Sequence, residues 1–177
     1  LNKTLIIARH KEDVNWSDNV DDWDIHVIQK DQHLPNIGRE QSSFIWYIID
    51  NYSTLSGWYA FVQGIPTDHC PNIMKELEHV DNKVLASVMY TCDNFARMQD
   101  HIEMDSIFNS LFKGEAPKQY TFGAGGQFMV NAETIKKRSK QFYKNCYDLI
   151  MKQKINKVEY GFERLWETIL GDKYDTK

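Results

Sequence analysis

Three short runs of this chain, Thr4 to Ala8, Trp58 to Gln63 and Val84 to Tyr90, are almost unbroken in apolar residues. A strand with one wet face alternates apolar and polar side chains. A run without that alternation reads as a strand buried on both faces, and such strands lie in a sheet covered by helices. Ile25 to Gln29 and a pair around Tyr120 to Phe122 and Gln127 to Val130 add further strands.

Helical patterns fill the intervals. Phe44, Ile45, Ile48, Ile49 and Tyr52 form an i, i+1, i+4, i+5, i+8 stripe over Gln41 to Tyr52. Pro71 to His79 comes after Asp68, a residue suited to capping, and Pro71 suits a first helical turn. Ile107, Phe108, Leu111 and Phe112 mark a helix over Ser106 to Phe112 that Gly114 can end. Ala132 to about Lys152 reads as one long helix capped by Asn131, with Ile135, Phe142, Cys146, Leu149 and Ile150 inward. Phe162, Leu165, Trp166 and Ile169 mark a last helix before Gly171. The alternation predicts an α/β sandwich, a mixed, mostly parallel central sheet flanked by helices.

At 177 residues and 42% hydrophobic content the chain makes one domain, 1–177, with no internal repeat or linker. Nine Gly and four Pro exclude collagen-like sequence, and no apolar run approaches the ~20 residues of a membrane-spanning helix. A net charge of −4 is the wrong sign for holding duplex nucleic acid, though a small phosphorylated ligand needs only a local pocket of cations. Cys70, Cys92 and Cys146 have no metal-binding spacing and read as reduced, buried or half-buried thiols. The chain opens on Leu1, as expected of a domain excised from a longer protein. Sequons at Asn2, Asn15 and Asn51 suit a secretory protein and also arise by chance, so cytoplasmic and secretory-lumenal locations both fit.

Ligands of open α/β sheets bind beyond the carboxyl ends of the strands. Arg9-His10-Lys11-Glu12-Asp13 comes after the first run, Gln63-Gly64-Ile65-Pro66-Thr67-Asp68-His69 after the one ending at Gln63, and Thr91-Cys92-Asp93-Asn94 after the one ending at Tyr90. The residues before these strands are plainer. Gln63 to His69 presents an amide, a carboxylate and an imidazole near a helix start, where an anion or metal-bound phosphate is favoured. The plainer reading is a Gly64–Pro66 turn with Asp68 as a cap. Gly123 to Gln127 is either a hairpin turn or a place where backbone approaches a ligand closely; it lacks the spacing of a nucleotide fingerprint. Lys136, Lys137, Arg138, Lys140 and Lys144 read as a solvated face, and Trp46 and Trp166 as core. Asp22-Trp23-Asp24 is a D-x-D, but it precedes its strand and so falls on the wrong edge.

Four stretches carry a resemblance: Ile7-Ala8-Arg9-His10-Lys11-Glu12-Asp13 with Trp16, Pro35-Asn36-Ile37-Gly38-Arg39-Glu40, Phe61 to His69, and Glu163-Arg164-Leu165-Trp166. They match the pattern A-R-x-x-E-D-x-x-W, N-x-G-R-E, F-x-Q-G-x-P-x-D-H and E-R-x-W of a domain-of-unknown-function family, over nearly the whole chain and in order. That family is similar to glycosyltransferases of the GT-A type, with a Rossmann-like fold, which transfer a sugar from a nucleotide-diphosphate donor. The resemblance implies that Arg9, Glu12, Asp13, Arg39 and Gln63 hold the nucleotide sugar. It implies that Gly125, Gly126 and Gln127 lie on the acceptor side, and that Glu163 and Asp68 are catalytic. No D-x-D stands after Gln63, so Asp68 and His69 are the candidates for a Mn²⁺ or Mg²⁺. The acceptor is then a glycan, protein or small molecule. Three other readings stand beside transfer: a nucleotide- or carbohydrate-binding module without transfer, a metal-assisted hydrolase using Asp68 and His69, and a structural interaction domain.

Overall fold

The computed structural model describes residues 2–93 and 102–177; Asn94, named above, lies outside the described residues. The first apolar runs become β1 (Lys3–Arg9), β2 (Asp24–Gln29) and β3 (Trp58–Gln63), which pair in parallel on either side of β1. The sheet continues through β7 (Phe128–Asn131), antiparallel to β3, to a two-residue β4 (Lys83–Val84) in the order β2-β1-β3-β7-β4. The result is a mixed α/β domain with a mostly parallel core, as expected from sequence.

The pleat divides the core in two. Ile6, Ala8, Tyr59, Phe61, Phe128 and Val130 face one cluster, while Leu5, Ile7, Ala60, Val62 and Met129 face the other. Burial on both sides explains why β1 and β3 lack polar alternation. The first face carries α1 (Arg39–Asn51), α3 (Met104–Leu111), α5 (Lys140–Lys152) and α6 (Val158–Leu170). The second has only short cover: a 3-10 turn at Asn15–Asn19, the buried Trp23, and α2 (Ile73–Glu76). Trp23 donates from its indole to the carbonyl of Leu77, so the D-x-D at 22–24 belongs to this packing, at the entrance of β2.

Four expectations are corrected. The run Val84 to Tyr90 is not one buried strand. It divides into β4 and β5 (Met89–Asp93), and β5 pairs with β6 (Gln119–Gly123) in a separate two-stranded sheet. The amide of Ser87 donates to the carbonyl of His69 and bends the chain out of the main sheet, leaving Val88, Met89 and Tyr90 exposed. Thr91, Cys92 and Asp93 therefore do not stand at the exit of a strand of the main sheet.

The long helix is broken into α4 (Ala132–Lys136) and α5 because Ser139 starts a new one, its hydroxyl accepting the amide of Phe142. Asn131 caps α4 as expected, accepting from Thr134 N at 2.8 Å. Arg138 is not on a solvated face. It is buried at the break, where its guanidinium donates to the carbonyls of Thr168, Ile169, Gly171 and Tyr174, closing the carboxyl end of α6. Finally, α2 is a single turn that starts after Asn72, and Asp68 lies in a separate 3-10 turn, Pro66–Asp68, without capping it. The three thiols are free and buried. Among the described residues no helix is long and apolar enough to cross a membrane.

Candidate functional site

From β1 the chain goes first to β2 on one side and then, through α1, to β3 on the other. The crevice between the exits of β1 and β3 is thus the topological switch point, where open α/β sheets bind ligands. A cavity of about 330 Å³ lies there. Its walls come from the β1 exit (Arg9, His10, Glu12), the β2 exit (Lys30), the entry of α1 (Asn36, Arg39, Glu40) and the β3 exit (Gln63, Gly64, Ile65, Asp68, His69).

Each wall is held by neighbours. The carboxylate of Glu12 accepts the amides of His10 at 2.6 Å and Lys11 at 3.0 Å. Burial alone would raise its pKa, but these amides outweigh that and leave it below the usual carboxylate value. A Cβ on Gly64 would lie 2.8 Å from that of Glu12, so only glycine lets the two loops meet, and the indole of Trp16 fixes them by donating to Gly64 O at 2.8 Å. His10 Nε2 lies 3.1 Å from Asp31 Oδ2, and the side-chain nitrogen of Asn36 lies 3.4 Å from Nδ1 of the same ring.

Entry into α1 runs through two left-handed residues, Gly38 at φ +76° and Arg39 at +49°. A Cβ at Gly38 would meet Ile150 Cγ2 at 2.2 Å, which demands glycine twice over. Arg39 then lies across Tyr160, donating to its hydroxyl at 3.0 Å with the guanidinium 5.1 Å from the ring centre. Burial would lower its pKa, but Glu40, Tyr160 and Glu163 raise it further still, keeping it charged.

The turn at Gly123–Gln127 closes the back. Gly125 and Gly126 have φ of +84° and +58°; a Cβ on the first would strike the His69 ring at 2.6 Å, and one on the second the Gln41 amide at 2.6 Å. Gly125 N donates to Glu163 Oε1 at 3.1 Å. Glu163 is half-buried behind this turn. Burial pushes its pKa up, and the nearby Glu40 adds to that, while Arg164, the Gly125 amide and His69 pull it down. Gln127 is fully buried and its amide serves the scaffold: Oε1 accepts from Gln63 N, and Nε2 donates to Pro66 O and Leu85 O. Trp166 donates to Gln41 Oε1, tying α6 to α1.

The structure therefore brings Arg9, Glu12, Arg39, Gln63, Asp68 and His69 onto one wall-to-wall pocket, with Gly125 and Glu163 immediately behind. Asp13 does not line it; its carboxylate accepts the amide of Asn15 in the loop leading to Trp16. Among the described residues no three His, Cys, Asp or Glu side chains converge as a metal ligand set. Asp68 and His69 offer two donors at most, which do not make a metal site by themselves.

Four pocket residues, Lys30, His10, Asn36 and Glu40, carry no role in the sequence reading, although the last three stand inside its motif stretches. Lys30 stands at the exit of β2, the same kind of position that points to Arg9 and Gln63 on the neighbouring strands. His10 sits between Arg9 and Glu12, and Asn36 and Glu40 stand inside the N-x-G-R-E stretch.

Fold and site define an α/β protein with a polar pocket at the switch point of its sheet. The chain belongs to the family described as Protein of unknown function (DUF3431), whose model matches residues 64–176. The match covers the β3 exit, the glycine turn and Glu163, and begins after Arg9, Glu12, Arg39 and Gln63. No curated protein and no solved structure matches.

Proposed function

We propose that this chain is a glycosyltransferase that takes a sugar from a nucleotide-diphosphate donor. One observation carries the reading: Arg9, Glu12, Arg39, Gln63, Asp68 and His69, spread over three separate stretches of sequence, line a single pocket at the switch point. Cations there suit a diphosphate, and the carboxylates and amide suit ribose and sugar hydroxyls.

In the step itself the bond between the anomeric carbon and the diphosphate oxygen breaks, and a bond to the acceptor oxygen forms. The acceptor proton passes to a carboxylate. Glu163, with one oxygen fixed by Gly125 N and its pKa raised by burial, is the base. Arg9 and Arg39 stabilise the charge on the departing diphosphate. Gln63 binds a sugar hydroxyl, Asp68 at the exposed rim orients the incoming group, and the Gly125–Gly126 turn flanks the acceptor. A Mn²⁺ or Mg²⁺, if recruited, would be shared between Asp68, His69 and the donor's own phosphates, since divalent ions at such sites use few protein ligands; no step above depends on it.

The test is nucleoside diphosphate release from uridine and guanosine diphosphate sugars, with and without Mn²⁺, across a panel of glycan, peptide and small-molecule acceptors. Acceptor-dependent release is expected, and Glu163→Gln should cut the rate roughly 10²-fold or more while leaving donor binding intact. Absence of any nucleotide binding overturns the proposal. The position of Glu163 behind Gly125, off the pocket wall, favours a second reading, a binding module on the same frame. It predicts donor binding without transfer, equal in wild type and Glu163→Gln.

A further inference from the structure

Lys30 is only 4% exposed, yet it lines the pocket. Its ammonium donates to Ile37 O at 2.9 Å and to Ser42 Oγ. Ser42 is itself fully buried, and its hydroxyl donates to Ile37 O at 2.5 Å. An ammonium has three N–H groups, so one remains. Across the β1–β2 pairing, Lys30 N donates to Arg9 O, which joins the two strand exits at the backbone, and both residues line the cavity that opens there. The Nε of Arg9 is buried and has no hydrogen-bond partner among the described residues. A buried donor without an acceptor costs stability unless something fills it, and Arg9 lines the same cavity as Lys30.

We infer that Lys30 and Arg9 form a phosphoryl subsite, holding the oxygens of one phosphoryl group of an anionic ligand at the β1–β2 exit. The inference deepens the proposed function and rests on its reading of the pocket ligand as phosphorylated. A rigid buried ammonium, fixed on two sides, is already oriented before ligand arrives, so little side-chain freedom is lost on binding. Asp31 and Glu40 face Lys30 and favour its charged form, and His10 and Arg39 line the same cavity; of the other acidic groups on its walls, Glu12 remains a carboxylate occupied by two backbone amides and Asp68 stands on the β3 side. Burial nevertheless draws the Lys30 pKa down to about 8, so the ammonium is charged at neutral pH and discharges above it.

The experiment is calorimetric titration of the whole chain with inorganic pyrophosphate near pH 7, and with sulfate, whose charge is constant, from about pH 7 to about pH 9.5. Pyrophosphate should bind while methyl glucoside does not, and Lys30→Met should weaken pyrophosphate by about tenfold or more. Sulfate affinity should fall as pH rises through about 8 in wild type and stay flat in Lys30→Met. Arg9→Met supplies a second variant, and the wild-type pH profile needs none. Equal pyrophosphate binding in wild type and both variants, or an unchanging sulfate profile, overturns the subsite. Lys30-dependent pyrophosphate binding without sugar transfer would keep the subsite and remove the transferase. Sugar transfer with Lys30→Met unimpaired would do the reverse.

Discussion

At the scale of single residues, charge is placed where it has partners. Arg138 closes four carbonyls around the end of α6 and lies against Phe112 and Phe142, so Arg138→Met should lower the free energy of unfolding by roughly 2–4 kcal/mol, read from urea midpoints. Lys137→Met next to it, with an exposed partner in Asp172, should change it by less than about 0.5 kcal/mol. Sequence could not separate the two. They are neighbours in one basic run, and the helix break at Ser139 decides which of them turns inward. Glu163 has a native pKa above its unfolded value, so the folded state binds more protons in that interval. Its contribution is present below the unfolded pKa and is lost as pH rises through the native one. Under the proposed transfer, with Glu163 as base, the rate should rise over the same interval, and a pH–rate profile should show an acid limb above the ordinary carboxylate range.

At the scale of elements, the glycine turn between β6 and β7 joins fold to site. Gly125→Ala must place a methyl against the His69 ring from a left-handed backbone, so it should cost roughly 1–3 kcal/mol and displace a pocket wall, weakening ligand binding in calorimetry. Gly114→Ala is the control. It also has positive φ but nothing within reach of its Cβ, so it should cost about 1 kcal/mol and leave binding unchanged. β1, β3, α1 and α6 were legible because each is long enough for its pattern to show. The run Val84 to Tyr90 misled because apolar content alone does not distinguish a strand buried on two faces from a bend that turns Val88, Met89 and Tyr90 outward. The hydrogen bond from Ser87 to His69 that makes the bend joins residues far apart in the chain, and no local pattern announces it. Arg9, Gln63 and Asp68 could be named from strand exits, and Lys30 stands at the exit of Ile25 to Gln29 in the same way, but that it shares the cavity of the other three follows only from the strand order.

At the scale of the whole molecule, the pocket imposes a pH signature on stability. Lys30 titrates near 8 in the native state against 10.5 as its ordinary value, so between these the unfolded chain binds more protons and this group makes stability rise with pH. The buried thiol of Cys146 and phenol of Tyr143 are pushed up by burial and act in the opposite direction as the unfolded chain ionises. The contribution of Lys30 is therefore the difference between wild type and Lys30→Met in urea midpoints at about pH 7.5 and about pH 9.5. Wild type should gain relative to the variant as pH rises, and equal slopes would place the ammonium in water.

The walls that carry charge are joined by struts that carry none: Trp16 to Gly64, Trp166 to Gln41, and Gln127 to Gln63, Pro66 and Leu85. Dissolved ions screen interactions between charges far more than they touch an indole or amide bonded inside protein. Added salt should accordingly loosen whatever anion the cavity holds while leaving the cavity's outline as it was, so that in a saline medium the receptacle stays ready and only its grip varies.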